Sequence, residues 1–359
     1  MQSNDRMVQP ETPSGGAPAA TAPPATEQMM DVELTPAGQV TAVPTAAAGR
    51  PQRLTWARNL LGNPKARLGL GIVLFFALLA IFAPVIAPGD PSEFVDRPHR
   101  PPSAAHILGT QGQGKDVFRQ TVWGARKSMT VGIATGLVTT LIGMAIGMIA
   151  GYFRGPVGDL LTLLMNLFLV MPGIPLLVII AAYLRPGTIT IILVLAFTGW
   201  AWGARVLRSQ TLSLREKDFV SSAIVSGESH LRIIFREILP NIASIIIGGL
   251  IGSVTYAIGA ETALSVIGLT NVSDVSWGTN LYWAQNNAGL LTGAWWTFVP
   301  SGMCVALVAF GLSLINYGMD EITNPRLRAE REVSHVIRDP QLRNIRATPV
   351  VRRARQDAA

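Results

Sequence analysis

Leu212 to Pro240 reads LSLREKDFVSSAIVSGESHLRIIFREILP, and this stretch decides the fold. It is the only long segment in the second half of the chain that is both charged and periodic, and very hydrophobic runs lie on either side of it. Charged side chains cost about 2.5–3.5 kcal/mol each at the centre of a bilayer, so the stretch must lie outside the hydrocarbon. The sequence therefore predicts a folded loop on a membrane surface, between two spans.

Helix signals divide the loop into two parts. Asp218 is expected to cap a helix that carries Phe219, Val220 and Ala223 on one side, and Gly227 is expected to end it with a left-handed residue. A second short helix follows Gly227. Together the two helices of the loop 212–240 predict a rigid knob that suits docking to a soluble partner, with residues 221–240 as its docking part.

The second helix of the knob is expected to start at Ser229, whose side chain can cap it. It carries Ile233, Ile234 and Ile238 at helical spacing. Pro240 is expected to bring this helix toward its end, because proline lacks the backbone donor that a helix interior needs.

The knob resembles the cytoplasmic loop of the integral-membrane permease subunits of bacterial ABC importers. That loop has the form Glu-Ala-Ala, three residues, glycine, and a closing Ile/Leu-Pro. Ser221-Ser222-Ala223 stands at the Glu-Ala-Ala position, Gly227 follows at the family's distance, and Ile238-Leu239-Pro240 closes the motif. The departure is at Ser221, which cannot make the salt bridge that the family's acid would make.

The resemblance implies a role and a set of partners. The helix after the glycine would fit a cleft in an ATPase subunit, and the residues that inherit this role run from Glu228 to Arg236, including Ser229, His230, Leu231 and Arg232. The implied partners are a second permease subunit, two cytoplasmic ABC ATPase subunits and an extracytoplasmic substrate-binding protein. ATP hydrolysis is expected on those separate subunits, so this chain is not expected to be an enzyme or to hold a cofactor.

Composition predicts a polytopic membrane protein. Of the 359 residues, 49% are hydrophobic and 14% are charged, against about 25% charged in a soluble protein. The net charge of +7 sits in tails and connecting loops, which suits anionic lipid headgroups and not nucleic acid. The single cysteine, Cys304, lies in an apolar run, and the four histidines lack metal-ligand spacing.

The chain divides into four regions. Residues 1–50 are expected to be a disordered cytoplasmic tail, 51–68 an interfacial helix, 69–320 a domain of six transmembrane helices, and 321–359 a basic cytoplasmic tail. Six apolar runs approach the ~20 residues that cross a bilayer. They are 69–88, 129–152, 158–184, 187–208, 241–268 and 294–319. The predicted fold class is thus an all-α membrane protein, and the resemblance implies the type I ABC importer permease fold.

A break is expected inside the third run, at Met171-Pro172-Gly173-Ile174-Pro175. Neighbouring helices can cover the backbone groups that such a break frees. Pro172 and Pro175 could shape a translocation path or only a packing kink, and both interpretations stay open.

Basic residues predict the orientation. Six spans put both termini on one side, and the positive-inside rule favours a cytoplasmic location for them. Seven of the 29 basic residues then lie outside: Arg97, Arg100, Lys115, Arg119, Arg126, Lys127 and Arg185. The outer segment 269–293 and its flank carry aromatic residues that suit an interfacial belt, or contact with an external partner or a sugar-like substrate: Trp277, Tyr282, Trp283, Trp295 and Trp296.

Further motifs resemble the C-type permease subunit of the dipeptide, oligopeptide and nickel branch of this family. They are Leu108-Gly109-Thr110, Gly114-Lys115-Asp116, Tyr152-Phe153, Gly199-Trp200, the run Glu261 to Leu269, and Asn324-Pro325-Arg326-Leu327, within a resemblance that covers about Arg58 to Arg328. Residues 109–116 also approach the phosphate-binding loop G-x4-G-K-[ST], but Asp116 replaces the required hydroxyl.

Two features inside the spans have open interpretations. Glu261 is an acid in an apolar run, and it could line the substrate path, pair with a basic residue of another helix, or lie shallow near the interface. Gly143, Gly147 and Gly151 form a small-residue face that allows close helix contact within or between subunits.

The resemblance implies a permease subunit of an ATP-driven importer in the plasma membrane of a prokaryote, forming half of a pathway for peptides or related small solutes. Oligosaccharides remain an alternative, and the absence of His/Cys clusters argues mildly against nickel. A stand-alone secondary transporter is the alternative from another class, but such folds show internal repeats with paired broken helices, and one broken helix is evident here.

Overall fold

The computed structural model of this chain describes residues 61–323, and that part is built of helices, with only two isolated β-bridges. The predictions for residues 1–50, for 51–60 and for the tail from 324 onward lie outside the described residues. The helices are α1 (Pro64–Ile81), α2 (Ala83–Ile86), α3 (Val117–Tyr152), α4 (Pro156–Val170), α5 (Gly173–Tyr183), α6 (Thr188–Arg215), α7 (Asp218–Val225), α8 (His230–Arg232), a π-helical segment (Ile233–Ile238), α9 (Leu239–Val266), α10 (Trp277–Asn286), a 3-10 turn (Trp295–Thr297) and α11 (Val299–Thr323).

Five helices in the described part are long and apolar enough to cross a membrane: α1, α3, α6, the continuous helix His230–Val266 and α11. A sixth span results if α4 and α5 count as one, since they pass the same test together but are bent by 88°. The bend lies at Met171 and Pro172, which both have extended backbone. The predicted break is confirmed, because the residue before a proline is pushed out of the helical region and the proline itself lacks a donor.

Contacts between helix ends define two faces of the bundle. The Asn63 amide donates to Glu321 Oε2 at 2.7 Å, so the beginning of α1 lies beside the end of α11. Arg154 pairs with Glu216 at 3.0 Å, so the ends of α3 and α6 also lie together. The knob is on this same face, which we call the loop face. Because α3 and α6 both end here, α4 and α5 together must cross to the other side.

The opposite face carries a cap, made of residues 87–116 and 267–298. The two segments hold each other through the His99 ring and Asn287 O at 2.9 Å, and through the Trp296 indole, which donates to Thr110 O at 3.2 Å. Trp123 on α3 donates to Ala87 O at 2.9 Å and so ties the cap to the spans.

Glycines let α3 pack closely on two neighbours within this subunit. A methyl group at Gly147 would overlap the backbone of Ala204 on α6, and Gly143 and Gly151 face the same helix. On another side of α3, a methyl group at Gly136 would overlap Val254 of α9. The small-residue face is therefore used inside the subunit, where backbones approach without side chains between them.

Two predicted boundaries differ in the structure. Residues 64–68, expected in the interfacial helix, belong to α1, whose start is capped by the Asn63 side chain at 3.0 Å from Lys65 N. Helix α3 begins at Val117 rather than near 129, because Asp116 caps it through Arg119 N at 2.9 Å. Its first turns carry Arg126 and Lys127 and extend beyond the apolar run into the cap.

The belt prediction is wrong for Trp277. Its side chain is 0% exposed and lies edge-on to Phe76, with 5.6 Å between ring centroids. Its indole donates to Thr121 O at 3.0 Å. Trp277 is thus a core anchor between α10, α1 and α3, whereas Trp295 remains exposed.

Candidate docking knob and translocation path

The first helix of the knob is α7, which buries Val220 completely. Asp218 is its first residue, and the capping position belongs to Lys217, which makes no side-chain bond to the helix. The prediction that Asp218 caps the helix is therefore wrong. Its negative charge instead lies in the first turn, where it is favourable beside the positive end of the helix dipole.

The prediction for Gly227 is confirmed, since its φ is +76°. Gly227 N donates to Ile224 O at 3.0 Å and Glu228 N donates to Ala223 O at 3.1 Å, the two bonds of a Schellman motif. No atom lies within 4 Å of where a Cβ would be. The glycine is thus required by backbone conformation and not by lack of space.

The sequence predicted that Pro240 brings the second helix of the knob toward its end. That prediction is wrong. The chain is helical without interruption from His230 to Val266, and Pro240 lies in the first turn of α9. The segment Ile233–Ile238 is π-helical, and Leu239 N donates to Ile234 O, five residues back. A wider turn relieves the clash that a proline ring makes with the carbonyl four residues before it. Ser229 holds the N-cap position of α8 without a side-chain bond.

The knob is fixed to the ends of two spans. Ile233, Ile234 and Ile238 are buried against α3 and α6 residues, among them Met148 and Leu207. A polar contact reinforces this packing. The Tyr152 hydroxyl lies 2.9 Å from His230 Nδ1, and the Arg215 guanidinium lies over the Tyr152 ring at 5.4 Å. The knob should consequently move with α3 and α6 rather than independently of them.

The knob also exposes apolar side chains. Val225 is 88%, Leu231 67% and Phe235 57% exposed. Ser221 and Ser222 are also exposed, and Arg232 pairs with Glu228 at 3.6 Å. Exposed apolar side chains of this size are candidates for contact with a partner protein.

The break between α4 and α5 borders an apolar cavity of about 620 Å³. Leu164 and Phe168 line it before the break, and Ile180 and Leu184 line it after the break. Helices α3 and α6 supply the other wall. Pro172 and Pro175 thus bend the span around a space that a straight helix would fill.

Glu261 lies inside the subunit and is 1% exposed. Its Oε1 accepts hydrogen bonds from Ser265 at 3.1 Å and Ser276 at 2.9 Å, and its Oε2 accepts one from Ser128 at 3.4 Å. The nearest candidate for a basic partner, Lys127, pairs with Asp274 instead. The carboxyl group therefore joins α9, α3 and the start of α10.

Sequence reasoning missed three residues of these sites. Ser128 and Ser276 carry no sequence signal, because only the tertiary structure brings them to Glu261. Tyr152 stood in a motif shared with the peptide-transport branch, but its contact with His230 joins residues far apart in the chain.

Comparison with known proteins decides the family. A model of the binding-protein-dependent transport system inner membrane component matches residues 143–329, and a model of the N-terminal transmembrane domain of oligopeptide transport permease C matches residues 53–102. The chain belongs to this permease family. It is accordingly a multi-span permease subunit of a bacterial inner-membrane ABC importer, and not itself an enzyme.

Similar permeases include the dipeptide transport system permease protein DppC of Bacillus subtilis, 32% identical over 276 residues, which are 76% of this chain and 85% of that permease. The oligopeptide transport system permease protein OppC of Bacillus subtilis is 31% identical over 269 residues, 74% of this chain and 87% of that permease. A putative peptide transport system permease protein of Brucella suis is 31% identical over 284 residues, 79% of this chain and 95% of its own. These relatives favour the permease interpretation over a stand-alone secondary transporter.

Proposed function

We propose that this permease forms half of the translocation pathway of a peptide importer, beside a second permease subunit. Its relatives are named as dipeptide and oligopeptide transport permeases. Those names support peptides as the transported solute over oligosaccharides or nickel. Two cytoplasmic ATPase subunits and an extracytoplasmic substrate-binding protein complete the transporter in this proposal.

The observation that carries the proposal is the set of exposed apolar side chains on the knob. Val225, Leu231 and Phe235 project from the loop face, where an ATPase subunit would cover them. This assignment makes the loop face cytoplasmic, together with both ends of the described chain. The distribution of basic residues supports the same orientation.

Closure of the ATPase pair would move the knob, and this movement would switch the translocation pathway between its two states. The knob is packed on the ends of α3 and α6 and continues directly into α9, so a displacement of the knob tilts three spans. Rigid-body tilting of packed helices is an established way to switch between two states. The bent span at Pro172 and Pro175, with its cavity, would form part of the wall that opens and closes.

Substitution of Gly227 tests the docking role. Gly227→Val places a β-branched residue at a φ of +76°, which costs about 1–2 kcal/mol or more, whereas Gly227→Asn retains a residue that tolerates this region. We expect Gly227→Val to lower both peptide uptake and the amount of ATPase subunit that copurifies with the tagged permease from native membranes. Gly227→Asn should retain most of both.

Membrane content of the permease is measured for both variants as the control for insertion. Loss of copurification in both variants at normal membrane content would indicate that the open space at Gly227 is itself filled by the partner. Copurification and uptake that stay normal with Gly227→Val would contradict the proposal.

A further inference from the structure

The cap face contains a polar cavity that the docking and transport proposals do not use. It has a volume of about 440 Å³, within the roughly 300–1,000 Å³ of small-molecule sites. Its walls come from the first turns of α3, from Thr188 at the start of α6, from Ser92 and from the segment Ser273–Val275. Four separate parts of the chain thus line one open space at the end of the bundle opposite the knob.

Arg126 is the unpaired cation of this cavity. Its guanidinium lies 6.0 Å from the centroid of the Trp123 ring, and the Trp123 indole is held by its bond to Ala87 O at 2.9 Å. Within residues 61–323 no carboxylate pairs with Arg126, whereas its neighbour Lys127 pairs with Asp274. Arg126 is exposed, so its guanidinium lies near an aromatic ring with its donors left for a ligand.

The chemistry of this arrangement favours a singly charged oxyanion. A guanidinium presents parallel donors that match the two oxygens of a carboxylate, and the contact with Trp123 at 6.0 Å leaves those donors available. Ser92 and Thr188 add hydroxyl groups to the wall. Asp274 has its charge balanced by Lys127 and also accepts from Asn271 at 3.0 Å, so it does not compete strongly for Arg126.

The cavity lies nearer the cap face than the apolar cavity beside the broken span. Thr130 lines the polar cavity and Val138 lines the apolar one, about 12 Å further along α3 at 1.5 Å per residue. Along α6, Leu193 of the apolar cavity lies about 7.5 Å beyond Thr188 of the polar one. A solute with one anionic group and an apolar body would therefore meet a polar site first and an apolar space beyond it.

We propose that Arg126 binds the C-terminal carboxylate of a peptide as it enters this subunit from the cap face. This inference rests on the proposed function, because it assigns the cap face to the outside and peptides to the pathway. A lipid phosphate offers similar oxyanion chemistry, and the test separates the two sources.

The test compares uptake of radiolabelled trialanine and trialanine amide by whole cells that carry the complete transporter. The variants are wild type, Arg126→Gln, and Arg97→Gln as a matched loss of an exposed arginine of the cap outside the cavity. We expect Arg126→Gln to raise the KM for trialanine about tenfold, the effect of losing one charge-assisted contact, and to change the KM for the amide less than twofold. Arg97→Gln should leave the ratio of the two KM values at its wild-type value.

Two results would overturn the inference. An equal fall in uptake of both peptides would assign Arg126 to a lipid headgroup or to the cap structure, and an unchanged KM ratio would remove it from recognition. Deletion of the permease gene separates this failure from failure of the proposed function. If deletion abolishes uptake of both peptides while Arg126→Gln keeps the KM ratio, only the carboxylate site is wrong.

Discussion

At the scale of single residues, Glu261 illustrates how an acid is accommodated among apolar spans. Three hydroxyl groups donate to its carboxyl group, from Ser128, Ser265 and Ser276. Ser128 also accepts from Trp277 N at 3.2 Å, so the same hydroxyl links α3 to the start of α10. A buried polar group that is satisfied in this way fixes one arrangement of the elements it joins. We therefore assign Glu261 to the attachment of the cap to the spans.

Replacing Glu261 tests that assignment. Glu261→Ala should lower the free energy of unfolding by about 3 kcal/mol, because it removes several bonds to one buried group and leaves hydroxyls unsatisfied. The measurement is thermal unfolding of the purified permease in detergent. Glu216→Ala is the control, since it breaks an exposed ion pair with Arg154 that is worth less than about 1 kcal/mol.

The opposite ranking, with Glu216→Ala the more damaging change, would contradict a structural role for the Glu261 network. Normal stability of Glu261→Ala combined with lost uptake would instead support the interpretation that Glu261 lines the translocation path.

At the scale of elements, α3 is the helix on which the subunit is assembled. It spans Val117 to Tyr152, contacts α6 along Gly143, Gly147 and Gly151, and meets the knob at its last residue. The other end carries Arg126 and Lys127 into the cap. One helix therefore connects the candidate peptide site, the apolar cavity and the knob.

Enlarging Gly147 should disturb this helix more than enlarging a glycine that faces open space. Gly147→Leu inserts a side chain where even a methyl group overlaps Ala204, and overpacking of this kind costs about 1–3 kcal/mol or more. Gly71→Leu on α1 is the matched control, because no atom lies within 4 Å of its added Cβ.

Resistance to unfolding in detergent is the measurement for this pair. We expect Gly147→Leu to unfold at a lower temperature than wild type and Gly71→Leu to remain close to it. Equal unfolding temperatures for the two variants would show that α3 and α6 do not pack as closely as the structure has them.

At the scale of the whole molecule, the permease presents two candidate functional faces that are joined by long helices. The loop face exposes the apolar side of the knob, and the cap face carries the polar cavity. The ends of the described chain lie on the loop face, since Asn63 contacts Glu321. This arrangement suits a subunit that receives solute at one face and mechanical work at the other.

A charge placed on each face should affect different partners. Phe235→Asp puts a carboxylate in the apolar surface of the knob, and we expect about tenfold less ATPase subunit to copurify, as for loss of an interface anchor. Phe94→Asp is the matched change on the cap face, where Phe94 is also exposed, and it should leave that copurification unchanged.

Quantitative immunoblots of the copurified subunits measure this effect, with equal membrane content of the two variants as the requirement. A larger loss with Phe94→Asp than with Phe235→Asp would contradict our proposal that the ATPase subunits bind the loop face.

Much of this permease was predictable from its sequence, because it depends on local chemistry. Run length and apolarity predicted the spans, two prolines predicted the break after Met171, and Gly227 predicted a left-handed helix end. Each follows from constraints that act within a few residues: backbone sterics, the missing proline donor, and the cost of leaving charges in lipid.

Only the tertiary structure decided which polar and aromatic residues meet. Trp277 looked like a belt residue because its outer segment and the flank of that segment contain other aromatic residues, yet its side chain is buried against Phe76. Pro240 looked like a helix end, yet the helix continues past it because the preceding segment is π-helical. Glu261 had three open interpretations until Ser128 and Ser276 came within hydrogen-bonding distance. The physical reason is that burial and hydrogen-bond partners depend on contacts between distant segments, which packing sets and local propensity does not.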